Sequence, residues 1–121
     1  MRDYRQIKVW QKAHELVLAV YPASARFPAD ERFGLAREVR RSAISVPSNI
    51  AEGCGRESEP DFGRFLSIAA GSASELDYQL LLARDLGYLS KRDHGVLDAQ
   101  TQEVKRMLNS FMQRLKLRAN C

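Results

Sequence analysis

The stretch from Glu59 to Leu86 reads as one unbroken helix, and it sets what the chain can build. Ser58 stands at the N-cap position, Asp61 three residues on is its capping-box partner, and Gly87 stops the helix. At the usual rise per residue it is about 40 Å long. Phe62, Phe65, Ala69, Ser72, Leu76, Leu80 and Ala83 fill one side. The opposite side carries Ser67, Gly71, Ser74, Tyr78 and Leu82, with Leu81 on its flank. A helix that is apolar or small nearly all round is normally buried all round, yet one bundle covers only one side of its own helix. Gly71 in mid-helix costs about 1 kcal/mol relative to Ala, and a close approach by another helix accounts for that cost. The row Ser67, Gly71, Ser74, Tyr78 and Leu82 therefore predicts a homo-oligomer with the outer side of this helix at the interface.

Three further helices are expected. The first spans about residues 6–26, with Ile7, Trp10, His14, Val17 and Tyr21 as its core stripe, widened by Leu16 and Val20. Pro22 bends or ends it. The second covers about 31–54, with a kink near Ala43 because Pro47 cannot donate to that carbonyl. Gly53-Cys54-Gly55 ends it in a left-handed cap. The fourth runs over about 91–117 after Ser90, with Asp93 at the box position. Its inward seam is Leu97, Gln100, Val104, Met107, Phe111 and Arg114 or Leu115. No segment alternates with period two, so no strand is expected. Short loops between long helices make neighbours antiparallel, which predicts an all-α, up-down-up-down four-helix bundle. The 121 residues suit one domain over 1–121.

No apolar run approaches membrane-spanning length, and the first residues carry no apolar stretch of signal-peptide type, so the expected location is cytoplasmic. Cys54 and Cys121 lack metal-ligand or redox spacing and are expected as free thiols. The net charge of +4 is uneven. It resides in the stretch from Lys91 onward, where no acidic side chain follows Glu103. Lys105, Arg106, Arg114, Lys116 and Arg118 can attract phosphates, although cations also favour a helix C-terminus for purely local reasons.

The segment from Arg40 to Gly53 has two faces. Val39, Ala43, Val46 and Ile50 form an apolar one; Arg41, Ser45, Ser48 and Glu52, spaced four, three and four apart, form a polar one. The short serines leave room for a partner, so Arg41, Ser45, Ser48 and Glu52 are expected at the oligomer interface, and Arg41 and Glu52, too far apart to pair with each other within one helix, are expected to pair across helices or subunits. Arg37, Arg40, Arg41 and Arg56 add candidate contacts to nucleic acid. Catalysis finds little support. The two histidines, His14 and His94, form no Glu-x-x-His pair, so the di-iron bundle pattern is absent. Gly53-Cys54-Gly55-Arg56 lacks the strand and lysine of a phosphate loop. Glu52 and Glu75 on neighbouring helices are a weak carboxylate pair with arginines close by. No enzyme activity, cofactor or metal is expected.

Several strings together resemble a known family. They are Trp10-Gln11-Lys12-Ala13 with Glu15-Leu16-Val17, Phe27-Pro28, and Arg40 through Gly53 with Ser45-Val46-Pro47-Ser48-Asn49-Ile50-Ala51-Glu52-Gly53 as the hallmark. Arg56, Phe65 through Ser72, Glu75-Leu76 and Leu86-Gly87-Tyr88-Leu89 complete the set. The chain resembles, over about residues 4–117, the bacterial four-helix bundle proteins of the 23S rRNA intervening-sequence type. That resemblance implies a left-handed bundle that assembles into a ring, typically of five subunits. It also implies, from accessory proteins of diversity-generating retroelements, a basic ring that contacts nucleic acid and a reverse transcriptase. No catalytic residue carries over. Cys54 departs from a frequent aromatic. Glu38 replaces a common glutamine and dilutes the positive charge beside Arg37 and Arg41. The expected function is a non-enzymatic, ring-forming homo-oligomer that binds structured RNA or DNA. The alternative is a scaffold for a protein partner.

Overall fold

The computed structural model describes residues 2–119. Four α-helices make up the fold: α1 (Lys8–Ala25), α2 (Leu35–Cys54), α3 (Glu59–Asp85) and α4 (Lys91–Ala119). Short 3₁₀ turns, Tyr4–Gln6 and Ala29–Glu31, precede α1 and α2. No strand occurs among the described residues. Each helix packs on the next and α4 returns to α1, which closes a four-sided bundle. Cross-helix pairs show that neighbours run antiparallel. Arg26 at the end of α1 meets Asp93 at the start of α4, and Arg41 of α2 meets Glu75 of α3 while Gly53 meets Phe62 and Phe65.

The ends of α3 and α4 follow their local sequence. Ser58 Oγ accepts from the Asp61 amide at 3.2 Å, and Ser90 Oγ accepts from the Asp93 amide at 3.0 Å. Only this half of each expected capping box forms, because the carboxylates are taken elsewhere. Asp61 accepts from Arg64, and Asp93 from Arg26. Gly87 takes the left-handed conformation at φ 80°, whereas Gly55, expected there, stays right-handed at φ −82°.

α2 starts four residues later than expected, at Leu35. The cap comes from outside the helix: Glu31 Oε1 accepts from the Leu35 amide at 2.9 Å, while Oε2 accepts from the Tyr88 hydroxyl at 2.9 Å. A Cβ at Gly34 would collide with the tied Glu31 carboxylate. Downstream, α2 runs unbroken through buried Pro47, and α1 continues three residues past exposed Pro22.

The α1 stripe differs from the expected one. Val9, Ala13, Leu16, Val20 and Ala23 are buried; Ile7, Trp10 and Val17 are half-buried; His14 and Tyr21 are exposed. Both rows have helical spacing, and small Ala13 lets helices approach more closely than aromatic rings do. α3 buries Phe62, Phe65, Ala69, Leu76, Leu80 and Ala83 as expected, while Ser67, Gly71, Ser74 and Tyr78 are exposed and Leu82 is half-buried. α4 buries Leu97, Val104 and Leu115, and also Thr101 and Leu108; Arg114 is exposed. Gly53 is a packing residue: a Cβ there would lie 2.9 Å from Phe65 Cβ and 3.0 Å from Phe62 Cδ1.

Candidate nucleic-acid interface

The candidate cations divide by their partners. Arg41 donates to Glu38 Oε1 at 3.0 Å and Glu75 Oε2 at 2.9 Å, and these bonds, Glu38 first, hold its guanidinium above its ordinary pKa. Arg56 pairs with Glu52 Oε1 at 3.0 Å. Lys105 Nζ lies 3.0 Å from Asp77 Oδ2. Burial pushes the Asp77 carboxyl up, but donation from Lys105 and Gln102 outweighs it and leaves the pKa below the ordinary value. Arg37, Arg40, Arg106, Arg114, Lys116 and Arg118 have no carboxylate within ion-pair distance among the described residues.

Two open grooves collect four of these six cations, Arg37 and Arg40 in one and Arg106 and Arg114 in the other. The first, about 680 Å³, lies where the end of α1 meets the start of α2; Arg32, Arg37, Arg40 and Arg41 line it with Tyr21, Phe33, Ile44 and Ser45. No carboxylate lines it. Arg37, Arg40, Arg41 and Ile44 share one helical face. Arg40 is fixed by uncharged partners: Nε donates to Ser24 Oγ at 2.7 Å, Nη2 to the Tyr21 carbonyl at 3.3 Å, and the guanidinium lies 4.7 Å from the Tyr21 ring centroid. The second groove, about 490 Å³, joins Lys8 at the start of α1 to Arg106 and Arg114 near the end of α4, around Met107 and Phe111. Arg32, Phe33 and Lys8 were not singled out in the sequence, and Tyr21 was expected there in the core stripe of the first helix rather than in a groove. An Arg-Phe-Gly turn between two helices is the signal that exposes the first two, once α2 is known to begin at Leu35.

The polar row on α2 does not act as a unit. Arg41 and Ser45 reach α3 of the same chain, with Ser45 Oγ 2.7 Å from Ser72 Oγ, and Asn49 Nδ2 donates to the Ser45 carbonyl at 2.8 Å. Ser48 is exposed and lines a groove with Trp10, His14 and Ile44. Glu52 turns to Arg56, so Glu52 and Glu75 sit in separate ion pairs rather than together. His14 stacks on Trp10, ring centroids 5.1 Å apart and 8° from parallel. Burial pushes the Cys54 thiol up, which disfavours the reactive thiolate. Cys121 lies outside the described residues. No metal-binding cluster occurs among the described residues, and no described helix is long and apolar enough to cross a membrane.

The Glu31 bridge that positions the arginine groove is pH-sensitive. The Leu35 amide bond, then the Tyr88 hydroxyl, lower the Glu31 pKa from its ordinary 4.5. A carboxyl lowered on folding contributes stability that is complete above the unfolded value and is lost as pH falls through the folded one. Tyr88 is raised by the same bond, so its contribution is present below the ordinary value of 10 and is lost as pH rises through the folded one. Thermal unfolding of Glu31→Gln between pH 3 and 6 is expected to show a shallower acid limb than the wild type. Superimposable acid limbs would contradict the bridge.

Fold and surface together define a small all-helical bundle protein with open, arginine-bearing grooves. Residues 5–110 match the family described as 23S rRNA-intervening sequence protein, and the chain belongs to that family. Its fold is similar to the crystal structure of a protein with unknown function from the S23 ribosomal protein family of Bacteroides thetaiotaomicron VPI-5482. The TM-score is 0.81 at 24% identity, over 87% of this chain and 95% of that one. No curated protein matches the chain.

Proposed function

We propose that this protein is a non-enzymatic homo-oligomer that binds structured RNA or DNA, acting in the cytoplasm. The observation that carries the reading is the groove in which Arg32, Arg37 and Arg40 converge without carboxylate partners, beside Arg41, which Glu38 and Glu75 bind. A cation cluster of this kind neutralises phosphates and releases their counterions on binding. Arg106, Arg114 and Lys8 in the second groove supply further charge. Assembly is supported by the outer side of α3, where Ile68, Tyr78 and Leu81 are exposed beside Gly71. A ring, with five subunits as the family resemblance implies, is the proposed form. A scaffold for a protein partner is the second reading, favoured by an apolar groove of about 350 Å³ lined by Pro60, Gly63, Met112 and Leu115.

Fluorescence-anisotropy titration with a labelled RNA hairpin and a labelled DNA tests the first reading. With phosphates on Arg32, Arg37 and Arg40 of each protomer, affinity is expected to fall about 20- to 40-fold between roughly 50 and 200 mM salt. Absence of salt-sensitive association with either probe would sink it.

A further inference from the structure

We infer that the arginine groove takes an unpaired, single-stranded segment, with a base stacked on Phe33 and phosphates on Arg32, Arg37 and Arg40. The inference rests on the nucleic-acid reading above and narrows it. Phosphate contacts alone explain the arginines and leave Phe33 unexplained. Its side chain is 76% exposed, more than any other large apolar residue among those described. Isolated apolar side chains are common on surfaces. Phe33 differs because a rigid turn presents it. The Glu31 amide bonds the Pro28 carbonyl at 2.9 Å, Arg32 bonds Ala29 at 3.1 Å and Gly34 bonds Glu31 at 3.0 Å. The Glu31 carboxylate, fixed by Leu35 and Tyr88, locks the far side. The backbone that carries the ring therefore needs little ordering on binding.

The surroundings select the ligand. The Arg32 guanidinium lies 5.2 Å from the Phe33 centroid, and Tyr21, 42% exposed, offers a second ring across the groove. Aromatic faces interleaved with cations suit a strand whose bases are splayed out and whose backbone follows the charges. A duplex hides its base faces in the stack and offers a ring nothing to lie on. Charge complementarity favours an anionic partner, because Arg32, Arg37 and Arg40 in the lining have no carboxylate partner among the described residues.

The test uses fluorescein-labelled 12-nucleotide oligo(dT) and oligo(U), a 12-base-pair blunt duplex, and a polyglutamate peptide. The wild type is expected to bind either single strand more tightly than the duplex. Phe33→Leu is expected to weaken single-strand binding about 5- to 100-fold with no change in salt slope. Phe33→Tyr should retain most of the affinity, and Leu18→Ser, at an exposed apolar position outside the groove, should match the wild type. In Phe33→Trp the added indole fluorescence should be quenched by the single strands and not by the duplex. Equal binding of single strand and duplex, or Phe33→Leu at wild-type affinity, overturns the stacking inference and leaves the nucleic-acid reading standing. Binding of no oligonucleotide, or of polyglutamate alone, overturns both.

Discussion

Phe62→Ala is expected to lower the free energy of unfolding by about 3–5 kcal/mol, a large share of the stability of a domain this size. Phe62 is fully buried near the start of α3. Its ring meets Phe111 of α4 edge-on, centroids 5.4 Å apart at 72°, and the Arg2 guanidinium lies 4.1 Å from its centroid. Gly53 of α2 lies against the same ring. One side chain thus joins three helices and the N-terminal segment, and its removal leaves a cavity where α2, α3 and α4 meet. Urea denaturation at one fixed protein concentration should show a lower midpoint at unchanged slope. A loss below about 1 kcal/mol would contradict the packing described for this end of the bundle.

Gly71→Leu is expected to have opposite effects on the monomer and on the assembly. Nothing lies within 4 Å of a Cβ built at Gly71, so the bundle itself accommodates a larger residue. Replacing a mid-helix glycine stabilises the isolated helix by about 1 kcal/mol. If the outer side of α3 packs on another subunit, the same leucine fills the space that the partner needs. Light scattering at micromolar concentration should then report several subunits for the wild type and a mass near 13.7 kDa for the variant, with helical circular dichroism retained. A monomeric wild type, or a variant of unchanged mass, would refute α3 as the interface.

Much of this fold was legible in the sequence, and the reasons are local. The starts of α3 and α4 are written in Ser58 and Ser90, each of which caps its own helix. The inner row of α3 from Phe62 to Ala83 is legible because large apolar residues recur at helical spacing. The start of α2 was not legible, because its cap is a carboxylate from the preceding turn held by Tyr88, 57 residues away. On α1 the large aromatic residues drew the stripe toward Trp10, His14 and Tyr21, while the tight contact runs through Ala13. The basic residues of the sequence included Arg37 and Arg40, yet nothing in it separated them from Arg41, Arg56 and Lys105. That difference depends on carboxylates brought in by folding, Glu75 for Arg41 and Asp77 for Lys105. Phe33 was hidden for the same reason as the start of α2. A residue read as the first turn of a helix is instead the exposed tip of a turn.

The most direct measurement of the proposed function is the slope of log affinity against log salt concentration for single-stranded oligonucleotide, compared between wild type and Arg37→Ala. Arg37 is exposed and has no carboxylate partner among the described residues, so its loss removes a phosphate contact without unbalancing the fold. A wild-type slope near −2 per protomer that becomes shallower by about 0.7 in Arg37→Ala is the predicted result. Identical slopes and affinities for the two proteins would contradict the arginine groove as the place where nucleic acid binds.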